Sequence, residues 1–331
     1  MSEFLQGFWL PLLVFVLIAA LSVFLAVLVL RARRRPAPVE MAVEAAPEEE
    51  EILREADAAS EIEGGDGEGL KRSFASAMKR LRRQASRRAL YDIPWFLVLG
   101  ASGSKPRDLL TDLGMGLPFG PPDQPLPATG DGCNWWFFDG AVLLEVGEAY
   151  LLRDTEAGTD ERGWRSLLGL LTRYRPERPV DGVVLTVSCL ELLEARRRGA
   201  MGMAELERRA GLIYRKLADA RRKLGIDFPL YILVTGSEQL PGFRSFCASM
   251  PRHTRGEIFG WSSPYSLETS FSDIWVDEAF GAIGERLDKV LLEVFAQGEK
   301  APDSAELFLF PQTLQALRES MRTYLRQVVN A

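Results

Sequence analysis

The residues best placed to do chemistry follow a short apolar stretch that ends at Gly100. A buried strand, a glycine turn and a helix start form the layout of a phosphate-binding loop, whose motif is Gly-x-x-x-x-Gly-Lys-Ser/Thr. Gly100 fits the first position, but Lys105, Pro106 and Arg107 occupy the last three. Proline offers no N–H to a phosphate, and arginine cannot ligate Mg²⁺. The sequence therefore predicts the scaffold of a phosphate loop without its chemistry.

This degenerate loop comprises Gly100, Gly103, Ser104, Lys105 and Arg107. Lys105 and Arg107 could still attract an anion at a helix N-terminus, or they could be two ordinary basic residues on a surface turn. Hydrolysis of a nucleotide is not expected without a Mg²⁺ ligand. A modified loop, one residue shorter, in which Lys105 replaces the displaced lysine is the alternative.

Other catalytic chemistry has little support in the composition. The only histidine, His253, lies in a polar loop, and Cys133, Cys189 and Cys247 are far apart with no Cys-x-x-Cys pair. We therefore expect no metal site, no catalytic residue and no disulfide framework, which fits a reducing compartment. The net charge of −6 argues against nucleic-acid binding.

Short, continuous apolar runs predict strands buried on both faces of a sheet. Helical segments at Gly163–Tyr174 and Met201–Leu224 separate several of these runs, so the sequence predicts an α/β fold with a mostly parallel sheet. The segment 134–139 is close enough to the next strand to form a hairpin, with Trp135 and Trp136 filling the core. Helices are expected at about 274–297 and 311–329. The predicted buried strands are Trp95–Leu99, Ala141–Val146, Gly182–Val187 and Leu230–Val234.

The N-terminal part of the sequence predicts a membrane anchor. Phe8 to Leu30 contains no charged residue and would span roughly 34 Å as a helix. Four arginines follow between positions 31 and 35, which places the N-terminus outside and the remainder in the cytoplasm. A cleaved signal peptide is the competing interpretation, but its basic cluster would precede the apolar run.

Two segments of opposite charge follow the anchor. Residues 36–70 are expected to be a disordered linker, because twelve acidic residues lie between Glu40 and Glu68 with the single Arg54. Residues 71–90 carry eight basic residues and no acidic one, with Phe74, Met78 and Leu81 at helical spacing. This basic amphipathic helix could lie on anionic lipid, could pack its apolar stripe against the following domain, or could do both.

Several strings together resemble the TssM/IcmF family, and the match runs from about residue 71 to 329 in the family's order. These strings are Leu90–Gly100, Cys133–Asp139, Leu167–Gly182, Pro229–Thr235, Leu240–Phe243 and Leu307–Pro311. Members of this family are inner-membrane subunits of type VI secretion systems, with a relative in a type IVB system. The resemblance implies a P-loop GTPase-like domain over residues 91–265 and a C-terminal helical extension over 266–331, preceded by the anchor in residues 1–35.

The resemblance also locates two further nucleotide motifs, and both are degenerate. The family's Asp-x-x-Gly segment falls on Glu145–Glu148, so that its final glycine is acidic. The guanine-reading Thr-Lys-x-Asp segment falls on Thr235–Glu238, which keeps an acid but loses the lysine. The expectation is a pseudo-GTPase without a bound cofactor, and a divergent GTPase or ATPase is the alternative.

By this resemblance the chain is expected to be a scaffolding component of a type VI-like secretion system, single-pass in a bacterial inner membrane with its main domain in the cytoplasm. The implied partners are inner-membrane and baseplate subunits, the lipid bilayer and a second copy of the chain. Family members are typically far longer, with a hairpin of membrane helices and a large periplasmic part. A regulator that competes with a full-length paralogue is therefore a third hypothesis.

Overall fold

The computed structural model describes residues 68–82, 89–100, 133–138, 140–147, 150–151, 159–251, 253–254, 258–266, 269–296 and 304–330. Within these ranges no helix combines the length and apolarity that crossing a bilayer requires. The predicted anchor at 8–30 lies outside the described residues, and so does the acidic linker up to residue 67. Residues 68–70, which were assigned to that linker, instead begin an α-helix, with Leu70 buried.

The described strands are β1 Trp95–Gly100, β2 Asn134–Phe138, β3 Ala141–Val146, β4 Gly182–Ser188 and β5 Leu230–Thr235. They form one mixed sheet with the order β2-β3-β1-β4-β5. β1, β3, β4 and β5 are parallel, and β2 forms an antiparallel hairpin with β3. The predicted mostly parallel α/β sheet and the predicted hairpin are therefore confirmed.

Helices connect the strands and extend the chain beyond the sheet. The described helices are α1 Glu68–Arg82, α2 Ala89–Asp92, α3 Thr159–Tyr174, α4 Cys189–Arg197, α5 Ala200–Leu224, α6 Phe243–Ser249, α7 Ile274–Ala296, α8 Ser304–Gln315 and α9 Arg318–Asn330. α3 links β3 to β4, and α4 with α5 links β4 to β5. α6 to α9 follow β5, and α9 packs along α5.

The two faces of the sheet differ in burial. Side chains alternate along a strand, and Leu97, Val183 and Leu185 are fully buried on one face of the sheet. On the opposite face Phe96 and Val184 are half-buried, and Tyr231 of β5 is 51% exposed. The main core therefore lies on one side of the sheet.

The apolar stripe of the basic segment lies on helix α1 and packs against the domain. Phe74, Met78 and Leu81 are buried, and Phe74 meets the ring of Trp135 edge-on at 4.8 Å. Trp135 also donates its Nε1 hydrogen to Ser73 Oγ at 3.0 Å. The stripe is packed on the domain, as the second of the two sequence interpretations expected, and the core role of Trp135 is confirmed.

Two sequence expectations were wrong in detail. β5 was expected to be buried on both faces, but it is the edge strand of the described sheet, so Tyr231 and Leu233 are exposed. The single helix expected at 311–329 is two helices, α8 and α9, which break at Ala316 and Leu317. Arg196 of α4 donates to the carbonyl of Ala316 at 2.7 Å, which satisfies a terminal carbonyl that the end of α8 leaves open.

Candidate functional site

The strand connections diverge at the carboxyl edge of the sheet. From β1 the chain continues through β2 to β3 on one side, whereas from β4 it continues to β5 on the other. In open α/β sheets ligands bind outside the carboxyl ends of the strands where connections diverge in this way. The candidate site is therefore the edge between β1 and β4, where Gly100 is in register with Thr186.

The described part of the degenerate phosphate loop is limited to its first residue. Gly100 ends β1 at this edge, and Thr186 donates its hydroxyl hydrogen to the carbonyl of Leu99 at 3.2 Å. Gly103, Ser104, Lys105 and Arg107 lie outside the described residues, as does Glu148. The position of the loop's first glycine agrees with the proposed corner, and its basic residues stay a prediction.

Glu145 is built into the sheet rather than directed at a ligand. It is buried on β3 opposite Asn134 of β2, and its Oε2 accepts hydrogen bonds from Asn134 Nδ2 and Trp136 Nε1, both at 3.1 Å. A buried carboxylate that accepts two N–H hydrogens holds the β2–β3 hairpin together. Trp136 thus has a polar role that its half-buried ring alone did not indicate.

Thr235 and Glu238 occupy the turn after β5. Thr235 is buried in register with Ser188, and its hydroxyl donates to the carbonyl of Val187 at 3.5 Å. Gly236 adopts a left-handed conformation with φ of 77°, which favours glycine. The exposed Glu238 accepts from Gln239 Nε2 at 3.2 Å. The structure therefore brings Gly100 and Thr235 to the same edge of the sheet, with Glu238 just beyond it.

The thiol at this edge is buried. Cys189 begins α4 directly after β4 and is fully buried. Burial, followed by the negative charge of Glu238, raises the pKa of the Cys189 thiol to about 11. A thiol with so high a pKa stays protonated at neutral pH and is poorly reactive. Cys189 is a core residue at the start of α4.

No metal site lies at this edge in the described part of the chain. No group of three acidic, histidine or cysteine side chains there could hold a metal ion. A cavity of about 310 Å³ lies elsewhere, between α6, α7 and residues 258–259, and its lining is mainly apolar. His253 is exposed, with its Nε2 at 3.6 Å from Glu293, as expected for a solvated histidine.

A charged cluster that the sequence did not predict lies at the opposite, amino edge of the sheet. The guanidinium of Arg175 is fully buried and lies 2.8 Å from Asp181 Oδ2. The same carboxylate oxygen accepts from the backbone N–H of Trp95 at 2.7 Å. Arg175 also stacks over the rings of Tyr91 and Trp95 at 5.2 and 5.0 Å. In the sequence, these residues stood out only because they lie within Leu90–Gly100 and Leu167–Gly182, two of the strings that resemble the TssM/IcmF family.

Two other family-like strings, Leu240–Phe243 and Leu307–Pro311, meet where α6 packs against α8. Gly242, with φ of 78°, lies so close to α8 that an added Cβ would approach Glu306 O to 2.1 Å. The neighbouring Phe243 meets Phe310 edge-on with ring centres 5.2 Å apart. Four of the six strings therefore contribute to two packing clusters, one at the amino edge of the sheet and one between α6 and α8.

These features define an α/β domain whose mostly parallel sheet has diverging connections at its carboxyl edge. A model of the IcmF-related N-terminal domain matches residues 157–331, which is more than half of the chain. The chain therefore belongs to the IcmF-related family.

One curated relative is the type VI secretion system component TssM1 of Pseudomonas aeruginosa, which is 31% identical over 286 residues. That alignment covers 82% of this chain and 25% of the relative. The chain thus spans about a quarter of the length of the relative that it matches. No solved structure matches the chain.

Proposed function

We propose that the chain is a membrane-anchored structural component of a type VI-like protein secretion apparatus. The observation that most supports this proposal is the 31% identity to a type VI secretion component over 82% of this chain. Its domain would act through protein contacts at the cytoplasmic side of a bacterial inner membrane. The partners would be inner-membrane and baseplate subunits, by the family resemblance.

The apolar run at 8–30 and the arginines after it support the anchor and its orientation. The packing of helix α1 supports assigning it to the cytoplasmic domain, because its apolar stripe is buried in the core of that domain. Its basic residues Arg72 and Lys79 are exposed and suit the anionic inner leaflet. Contact with lipid through these charges is part of the proposal.

The domain would be a pseudo-GTPase with a P-loop GTPase-like fold. The strand order places Gly100 at the divergent edge, which supports the fold. Pro106 and Arg107 replace the lysine and the Mg²⁺ ligand of the motif, and the carboxylate of Glu145 is engaged by β2. These features support loss of hydrolysis, since phosphoryl transfer depends on metal and phosphate positioning.

Affinity purification of the tagged full chain from cross-linked membranes tests the scaffold. We expect inner-membrane and baseplate subunits of a secretion complex to be recovered. A chain lacking residues 8–30 is the matched control, and it should lose the membrane subunits. Recovery of no secretion subunit with the full chain would contradict the proposal.

The alternative is a divergent GTPase or ATPase that uses Lys105 in a modified loop. The position of Gly100 at the divergent edge is the observation that favours it. Calorimetry of the full chain with GTP and ATP, each with and without Mg²⁺, separates the two hypotheses. Micromolar binding that Lys105→Ala abolishes and Arg173→Ala leaves intact would favour the enzyme. No binding heat for either nucleotide would favour the pseudo-GTPase.

A further inference from the structure

The outer edge of β5 pairs with no further strand within the described residues. β5 is paired with β4 from Leu230 to Thr235 without a bulge, and no strand lies on its other side there. The backbone N–H of Val183 donates to Pro229 O at 3.0 Å. Because peptide groups alternate in direction along a strand, those of Leu230, Ile232 and Val234 point away from β4.

The sequence and register of this edge contain no charge, proline or bulge that would block strand pairing. Proteins protect edges with lysine or other charges, proline, bulges or a covering element. The sequence Leu230–Thr235 contains no charged residue and no proline. Tyr231 is 51% exposed and Leu233 is 39% exposed, both on the less covered face of the sheet. An apolar, regular and open edge is a pairing site for another strand.

We propose that the partner is a second copy of this chain, paired antiparallel through β5 about a two-fold axis at Ile232. In this register Leu230 faces Val234 of the other copy, and Ile232 faces itself. Residues with outward peptide groups therefore meet each other, so each can exchange both of its hydrogen bonds. No other centre on the strand satisfies the groups of Leu230, Ile232 and Val234 together.

The side chains agree with the same register. Tyr231 of one copy lies directly opposite Leu233 of the other, in the closer, non-hydrogen-bonded positions. Aromatic–aliphatic pairs across strands are favourable, and β5 carries no charge that would repel its copy. The contact is isologous, which closes the assembly at two chains. A single ladder is smaller than a standard interface of about 1,200–2,000 Å², so the association depends on concentration.

Disulfide trapping tests the register on the full chain in nanodiscs. Tyr231→Cys and Leu233→Cys are made separately in a Cys247→Ser background, because Cys133 and Cys189 are buried. Directly opposite residues are within disulfide range, whereas like residues are about 7–8 Å apart on the diagonal. We expect the mixed variants to give at least about tenfold more cross-linked dimer than either variant alone. Equal cross-linking in all three samples, or none, would overturn the proposal.

Hydrogen exchange distinguishes the second copy from a segment of the same chain. The amides of Ile232 and Val234 should exchange rapidly at low protein concentration and become protected as the concentration rises. Protection at every concentration would mean that the same chain covers the edge, and protection at none would mean that no strand pairs there. Either result would overturn the proposal.

A charge substitution supplies a matched pair of variants. Leu233→Lys should abolish the concentration-dependent protection, because a lysine would oppose Tyr231 at the edge. Leu292→Lys changes a leucine of α7 that is 71% exposed, and it should dimerise like the wild type. Tryptophan fluorescence reports that both variants are folded. Equal dimerisation of the two variants would also count against pairing through β5.

Discussion

Arg175 and Asp181 form a buried ion pair that joins helix α3 to the amino edge of the sheet. The guanidinium is 0% exposed and the carboxylate 12% exposed, with 2.8 Å between NH1 and Oδ2. Burial lowers the pKa of Arg175, and the hydrogen bond to Asp181 opposes that effect. Asp181 also accepts from Trp95 N–H, so a single carboxylate connects the first strand with the turn before β4.

Replacing Asp181 with alanine should destabilise the fold strongly, because it leaves a buried guanidinium without a counter-charge. Removal of one partner of a buried pair costs about 3–5 kcal/mol. The measurement is the free energy of unfolding in urea, followed by tryptophan fluorescence of the full chain in detergent.

Arg178→Met is the matched control for this prediction. Arg178 pairs with the same carboxylate at 2.8 Å, but its side chain is 53% exposed. Its loss should cost no more than about 1 kcal/mol. The double variant Arg175→Met/Asp181→Ala should recover part of the loss, because no charge then stays buried. Equal effects of Asp181→Ala and Arg178→Met would refute the buried-pair explanation.

The sequence predicted most of the sheet because strand composition determines it locally. Each of the four apolar runs is a strand with bounds within one residue of the expected ones, and the segment at 134–138 pairs as the expected hairpin. It could not predict the exposure of β5. The residues Leu230–Val234 are as apolar as those of a central strand, and only the strand order makes β5 an edge.

The roles of charged residues were harder to predict, since they depend on distant partners. Arg175 and Asp181 lie in a proline-containing turn, whose charges are normally solvated. Only the fold brings Trp95, 86 residues away, to Asp181. Glu145 was assigned to a nucleotide motif, and the structure shows it bonded to Asn134 and Trp136 of the hairpin. The residue types alone do not predict that Glu145 accepts hydrogen bonds from Asn134 and Trp136.

Glu145→Ala should weaken the β2–β3 hairpin, whereas Glu145→Gln should be tolerated. Alanine removes the acceptor of two N–H groups, and unsatisfied buried donors cost about 1–3 kcal/mol each. Glutamine keeps one carbonyl oxygen for Asn134 and Trp136. Urea unfolding would measure both variants, and hydrogen exchange of β2 would localise the effect. A larger loss for glutamine than for alanine would contradict the acceptor role.

Gly242→Ala should separate α6 from α8. The residue has φ of 78°, and an added Cβ would meet Glu306 O at 2.1 Å and Phe310 N at 3.0 Å. The left-handed backbone alone costs an alanine about 1–2 kcal/mol, and the backbone contact adds to that cost. We expect a loss above about 2 kcal/mol in urea unfolding.

Gly281→Ala is the control for Gly242, because Gly281 lies within α7 with nothing near its would-be Cβ. Alanine is a better helix former than glycine, so this variant should gain about 0.5–1 kcal/mol. The two glycine variants should therefore shift the urea midpoint in opposite directions. A destabilising effect of the same size at both positions would rule out the close approach as its cause.

Glu205 should contribute stability that disappears in acid. Hydrogen bonds from Arg208, then from Arg209, lower the pKa of the Glu205 carboxylate to about 2. The distances from Arg208 Nε and Arg209 Nε to this carboxylate are 2.9 and 2.7 Å. A glutamate in an unfolded chain has a pKa near 4.3. Because the folded state holds the charged form more tightly, the contribution is complete above the unfolded pKa and is lost as the pH falls toward about 2.

The test compares the unfolding free energies of the wild type and Glu205→Gln between pH 6 and pH 2. The difference should be constant above about pH 5, shrink below about pH 4.3, and vanish near pH 2. It should be modest and should decrease in salt, because 35% of the Glu205 side chain is exposed and solvent screens such pairs. Glu285→Gln, on the exposed side of α7, is the control for the glutamate-to-glutamine change itself. A difference for Glu205→Gln that grew on acidification would show that its carboxylate is not stabilised in the charged form.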